Sequence, residues 1–305
     1  MVRIGVEIHS MDVKEIAQKF YDYSLHIKGY SKETIRRYKY VIDLYRQYCQ
    51  ITNIKEVSEE NVRSLFFHGR AQRNWSANTL IIFHKSLLVF LRWCMSQGYI
   101  DFNPVENIEK PCLEQKLPQK LTKQDSTRLL EIVYNYPYKN KFLSYRNYAL
   151  FAMFVFAGLR KSELLNLRFA DVDMENLAIF VSQGKGKKDR LVPISQTLAH
   201  SLRRYLEERK NKNITCPQFF ASSIRNNGLT EDGLRHLVKR VQKAVGLKFS
   251  VHKLRHTFAT LMLEGGCDIY TLSKMMGHSD IKTTTIYLSA SIDHLRSQIL
   301  KHPLN

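Results

Sequence analysis

Residues 252–258 read HKLRHTF, so His252, Arg255 and His256 fall within about one turn of any helix that carries them. Side chains three and four apart share a helix face, and that leaves three readings open. Two imidazoles at i and i+4 can chelate one metal ion. An arginine between histidines can clamp a phosphate, because its planar fork matches two oxygens at once. The third reading is a core helix with a solvated basic edge. Zinc is the weakest of the three: no Glu lies between the histidines, no cysteine stands nearby, and Arg255 would repel a dication.

Other parts of the chain strengthen the phosphate reading. Arg160 sits in AGLRKSELLNL, directly after an apolar run and a glycine. An arginine there is costly to desolvate without an anionic partner. Glu163, three residues on, is within reach if a helix resumes. The stretch GKGKKDR offers glycines for a close backbone approach, with Lys185, Lys187 and Lys188 projecting from a turn. Farther on, MMGHSDIKTTTIYLS has Gly277 placed as a helix C-cap, then His278, Ser279 as a following N-cap, and Tyr287 about two turns along. Taken singly, a basic turn reads as solvated surface and a lone tyrosine as packing.

The elements that would position these residues fall into two groups. Up to about residue 100 the pattern is helical. Val13, Ile16, Phe20, Tyr23 and Ile27 form one stripe ended by Gly29; Ser31 caps a second helix carrying Ile35, Tyr38, Ile42 and Tyr45. A shorter helix starts at Ser58, and a longer one runs from about Ser76 to Gln97, closed by Gly98. A proline-rich stretch, FNPVENIEKPCLEQKLPQKLT, then marks a boundary near residues 109–120. Thr122 and Asp125 resemble a capping box opening the next helix. A long apolar helix broken at Gly158 is followed by strand, turn, strand, turn, strand over RFADVDMENLAIFVSQGKGKKDRLVPIS. Beyond Ser195 the pattern reads as helical to the end, with starts near Gln196, Thr230, His252, Asp268, Ser279 and Ser291. The fold expected is mainly α with a small antiparallel β-sheet, in two domains.

Composition narrows the partner. The 305 residues carry 47 Lys and Arg against 28 Asp and Glu, a net charge of +19. Residues 1–110 hold 16 basic and 12 acidic side chains, and the remainder 31 and 16, so the excess sits where the candidate site residues lie. Such a field favours a polyanion, either nucleic acid or an anionic membrane surface. No apolar run approaches the roughly 20 residues that span a bilayer, and the N-terminus lacks a signal-peptide core. Five scattered cysteines without a CxxC pair suit free thiols in a reducing, cytoplasmic setting.

The order Arg160, Lys185, His252–Arg255, His278, Tyr287 resembles the tyrosine recombinases, the family of phage integrases and Xer-type enzymes. The matching segments are GLRKSELLNLRFADVD, GKGKKDRLVPI, HKLRHTFATLMLEGG and LSKMMGHSDIKTTTIY, with NPVENIEKP and LPQKLT in the joining region. SKETIRRY resembles the start of the family's core-binding domain more loosely. The resemblance implies a helical core-binding domain over residues 1–110, a linker over 111–120 and a mixed α/β catalytic domain over 121–305 with a tail helix at 291–302. It implies that Tyr287 attacks a DNA phosphodiester, that Arg160 and Arg255 hold the phosphate, and that Lys185 protonates the leaving oxygen. His252 would accept a proton and touch the phosphate, His278 would be a further donor, and Glu163 would orient the arginine–histidine cluster from behind. His256 reads instead as a buried structural histidine. No metal, cofactor or ATP is implied. The partners implied are duplex DNA holding a recombination site, clamped between the two domains, and further copies of the chain, forming a tetramer through the tail helix. Two rivals are a type IB topoisomerase-like enzyme, which shares the chemistry, and a DNA-binding protein without catalysis.

Overall fold

The computed structural model describes residues 11–113, 119–182, 189–278 and 280–287. The chain divides into two compact units, Met1–Gln115 and Lys116–Asn305. Lys185 and the expected tail helix at 291–302 lie outside the described residues, as do Ser279 and part of the expected linker.

The first unit is built from α1 (Val13–Asp22), α2 (Lys32–Tyr48), α3 (Glu59–Ala71) and α4 (Ala77–Ser96). Asp12, Ser31, Ser58 and Ser76 cap them, each side chain accepting a backbone N–H of the first turn. Phe20, Tyr38, Ile42, Leu65, Leu87 and Phe90 are among its buried core. The first stripe departs from expectation at its end. Tyr23–Ile27 is a π-turn, and one extra residue per turn rotates the register. Ser24 therefore turns inward while Ile27 is 73% exposed. The expectation about apolar runs also needs correction. By length and composition α4 could cross a membrane; in the fold it is a core helix that buries Leu80, Phe83, Leu87, Phe90, Leu91 and Cys94.

The second unit is organised around α6 (Lys141–Phe156), which follows α5 (Lys123–Asn135). Phe142, Leu150, Phe151, Met153 and Phe154 bury several faces of α6, as a helix apolar all round requires. Gly158, at φ 59°, breaks the chain into α7 (Lys161–Asn166). A sheet follows, with β1 (Val172–Asp173), β2 (Ala178–Val181) and β3 (Arg190–Pro193) antiparallel in the order β1-β2-β3. Val181 pairs with Arg190 and Ile179 with Val192, so Arg190 shares the inward face with buried Ile179, Val181 and Val192.

Then come α8 (Gln196–Asn211), α9 (Glu231–Val245), α10 (Val251–Glu264), α11 (Ile269–Met276) and α12 (Lys282–Thr285). Residues 212–229 are not helical, contrary to the expectation of helix throughout. Phe219 and Phe220 lie fully inside, and this segment bridges Arg168 to Gln218 and Ala221 to Gly228. Built of turns and isolated bridges, this segment carries neither the helical nor the strand period. α6 packs on α5, α8 and α10, which brings the Gly158 corner against α10.

Candidate active site

Gly158 sets the geometry at the end of α6. A Cβ there would meet the Phe258 ring at 2.2 Å, so only glycine lets the chain turn this closely on α10. Its carbonyl accepts an N–H from Arg255 Nη1 at 2.6 Å. Two residues later Arg160 precedes α7, and Glu163 in the first turn reaches back to it. Glu163 Oε2 accepts the Arg160 backbone N–H at 2.7 Å, and Oε1 accepts from Arg160 Nη1 at 2.7 Å.

α10 supplies Arg255, 3% exposed. Ser250 caps the helix by accepting the Lys253 N–H at 3.1 Å. Arg255 approaches Glu163 Oε2 at 3.9 Å and donates from Nη2 to Met276 O at 2.5 Å. Arg190, on the inward face of β3, donates to both Glu163 oxygens at 2.9 and 2.8 Å and from Nε to Met275 O at 2.8 Å. Arg160 Nη2 donates to Gly277 O at 2.8 Å.

Three successive carbonyls at the end of α11, Met275, Met276 and Gly277, thus each take an N–H from a different arginine: Arg190, Arg255 and Arg160. The last carbonyls of a helix lack intrahelical partners and carry its negative pole. Here that pole, with Glu163, holds three guanidiniums in fixed orientation. Gly277 is left-handed at φ 63°, and a Cβ on it would meet Arg190 Cδ and Nη1 at 2.9 Å.

Charge states follow from this packing. Burial alone would raise the Glu163 carboxyl, but hydrogen bonds and charge from Arg190, then Arg160, outweigh it and hold the group at about 2. Burial, then the Arg160 charge, lowers Arg255 to about 10, still protonated at neutral pH. His278 is held at about 4 by burial and then by Arg255, Arg160 and Arg190. Burial, then Arg255 and Arg160, lowers His252 as well.

Tyr287 lies just beyond α12, 2% exposed, in a small apolar cluster with Phe258, Ala259, Leu263, Leu272 and Met276. Burial raises its pKa, while Arg255 and Arg160 pull the other way. Its hydroxyl is 2.7 Å from His256 Nδ1. His256, lowered to about 4 by burial and the His252 and Arg255 charges, packs edge-to-face against the His252 ring with centroids 4.4 Å apart. His278 Nε2 is 3.3 Å from Arg255 Nη2, and its Nδ1 is 2.8 Å from Thr284 Oγ1.

Arg160, Glu163, Arg255 and His278 therefore meet in one network, with Tyr287 near enough to feel both arginine charges and His252 one ring away. Two members escaped the sequence reading. His256, read as structural, is the side chain bonded to the Tyr287 hydroxyl. Arg190 was passed over although Arg190, Val192 and Ile194 alternate, and a charge at an inward strand position signals a buried partner. Among the described residues no His, Cys, Asp and Glu group could hold a metal ion.

A profile of the Phage integrase family matches residues 119–294, and one of the phage integrase N-terminal SAM-like domain matches residues 16–101. Tyrosine recombinase XerA of Pyrococcus horikoshii is 32% identical over 292 residues, covering 95% of this chain and 94% of that protein. Tyrosine recombinase XerC of Anoxybacillus flavithermus is 31% identical over 294 residues, covering 93% and 96%. Among solved structures, XerH site-specific recombinase bound to palindromic difH substrate in a post-cleavage complex is similar with TM-score 0.74 and 21% identity, covering 95% of this chain and 84% of that one. A lambda integrase dimer bound to a COC' core site has TM-score 0.70 and 16% identity, covering 91% and 95%. At these identities the structural likeness speaks to fold.

Proposed function

The chain belongs to the phage integrase family of tyrosine recombinases, and from that premise we propose that it cuts and rejoins duplex DNA at a specific site through a 3′-phosphotyrosyl link. One observation carries the reading: three guanidiniums gathered with one carboxylate at the carboxyl end of α11. That cluster holds a fixed excess of two positive charges. A phosphodiester carries one negative charge and its five-coordinate transition state two, so the cluster favours the transition state over the ground state.

Tyr287 is the nucleophile. Its oxygen bonds to phosphorus as the bond to the 5′-oxygen breaks, leaving a free 5′-hydroxyl. Arg160 and Arg255 hold the non-bridging oxygens with N–H groups beyond the anchors described. Lys185 gives the departing oxygen its proton. His252, neutral at pH 7 because burial and the neighbouring arginines lower its pKa, takes up a proton and touches the phosphate. His278 is a further donor, and Glu163 keeps the arginines in register. The phosphotyrosyl link conserves the energy of the bond that was cut, so rejoining needs no external energy source.

Duplex DNA as partner is supported by the net charge of +19 and by the recombinase–DNA complexes among the similar structures. A cytoplasmic setting and a tetramer on synapsed DNA belong to the same proposal. In that tetramer the stripe Ile292, Leu295, Ile299 and Leu300 of each chain docks into its neighbour. Deleting residues 291–302 leaves DNA binding in place and removes synapsis, as native gels would read out.

The deciding experiment uses a duplex selected from a random-sequence library by its binding to the chain. Tyr287→Phe abolishes the covalent adduct that survives SDS and leaves binding within about threefold, since one hydroxyl is lost and the positive cluster is untouched. A Tyr287→Phe chain that still forms the adduct would rule out this nucleophile.

A further inference from the structure

Thr284 is fully buried, one helical turn before Tyr287, and none of the roles above falls to it. It ties two parts of the site together. Its carbonyl accepts the Tyr287 backbone N–H at 3.0 Å. Its hydroxyl meets Nδ1 of His278 at 2.8 Å, while on the far side of that ring Nε2 faces Arg255 Nη2 at 3.3 Å.

Donor and acceptor bookkeeping fixes the tautomer. A guanidinium only donates, so Nε2 of His278 offers its lone pair to Arg255. The imidazole is neutral, held at about 4 by burial and then by Arg255, Arg160 and Arg190, so its single ring proton sits on Nδ1. Nδ1–H therefore donates to Thr284 Oγ1. That is the wrong tautomer for the donor role proposed for His278. A neutral ring that gives an N–H to a phosphate oxygen from Nε2 needs its proton there, and Nδ1 then needs a donor in place of an acceptor. A hydroxyl supplies both states by rotating about one bond, with no heavy atom moving. A methyl group supplies neither, and the carboxylate of Asp only accepts.

We propose that Thr284 is a positioning residue whose hydroxyl reverses direction so that His278 can carry its proton on Nε2 once a phosphate takes the place of its Arg255 contact. The switch balances: Nδ1 releases a proton to water, Nε2 takes one from water, and the ring stays neutral throughout. The inference rests on the recombinase reading above.

The test compares Thr284→Val with Thr284→Ser on the library-selected duplex. Valine keeps the shape of threonine and removes the hydroxyl, and it slows formation of the SDS-stable adduct by about tenfold or more, short of the roughly 10²–10³ lost with a direct donor. DNA affinity changes much less than the cleavage rate. Serine restores most of the rate. Nitrogen-15 NMR of histidine-labelled protein supplies a signature that packing alone would not move. In the unbound parent chain His278 is protonated on Nδ1, and in the Tyr287→Phe chain bound to the same duplex it is protonated on Nε2. A Thr284→Val chain that cleaves at the parent rate overturns the proposal. So does a folded serine variant as slow as the valine one, or Nε2 protonation already present without DNA. Failure of the underlying reading is separate, because it would show as adduct formation by Tyr287→Phe.

Discussion

Glu163 is paired with Arg160, Arg190 and Arg255 at once, and much of the site's order depends on its charge. Its folded pKa lies at about 2 against an ordinary 4.5. A depressed carboxyl stabilises the fold above its unfolded value and stops doing so as pH falls through the folded one. The contribution is thus complete above about pH 5 and is lost between roughly pH 4.5 and 2, a span worth on the order of 3 kcal/mol. Urea unfolding across that range checks it: the parent loses stability steeply on acidification, and Glu163→Gln loses less because it has no charge to surrender. At pH 7 the glutamine chain is less stable by about 3 kcal/mol, since Arg190 is left buried without its counter-ion. Equal acid sensitivity in the two chains would refute the assignment. The types and order of Arg160, Glu163, Arg255, His278 and Tyr287 were legible because charged and phenolic groups beside apolar runs are conspicuous. The part played by His256 was not. Nothing in the interval of 31 residues to Tyr287 announces a hydrogen bond that only the return of the chain over α10 creates.

Helix α11 is eight residues long, and its importance lies in where it stops. Three arginines from β3, α10 and the start of α7 converge on carbonyls that a longer helix would have used internally. Gly277 performs that termination, and Gly277→Ala attacks it twice. The left-handed conformation costs a non-glycine residue about 1–2 kcal/mol, and the new Cβ lies 2.9 Å from two Arg190 atoms, pushing that side chain off Glu163. The expected result is a fall in unfolding free energy of about 2 kcal/mol together with a cleavage rate that drops more than DNA affinity does. If the rate is unchanged, the carbonyl cradle is not what orients the arginines. At this scale the sequence was informative at helix starts: Ser31, Ser58, Ser76 and Asp268 all cap where an oxygen-bearing side chain precedes an apolar period. It was least informative where one residue changes the register, as in the π-turn that exposes Ile27, and where tertiary contact rather than periodicity recruits a segment, as with Phe219 and Phe220.

Across the whole chain the division between Gln115 and Lys116 falls within the proline-rich stretch, where each proline removes a helix donor and restricts its predecessor. The two units bury separate cores, one around Phe20, Leu65 and Phe90 and one around Leu150, Phe154 and Tyr205. Charge is divided unequally between them, with 31 basic against 16 acidic side chains in residues 111–305 and 16 against 12 before. Binding of DNA by so basic a protein releases condensed counterions, so the affinity of the full chain for the library-selected duplex falls by about 10³-fold or more between about 50 and 200 mM salt. Limited trypsin digestion at Lys116, which leucine follows in the joining stretch, then separates the contributions. The released C-terminal fragment unfolds cooperatively on its own, because it holds a complete core. It binds DNA more weakly than the full chain, having lost the 16 basic side chains of residues 1–110, yet keeps most of the salt slope because most of the net charge remains with it. A fragment that fails to fold would move the boundary, and one whose binding is insensitive to salt would mean that the positive field of the second unit is not what meets the DNA backbone.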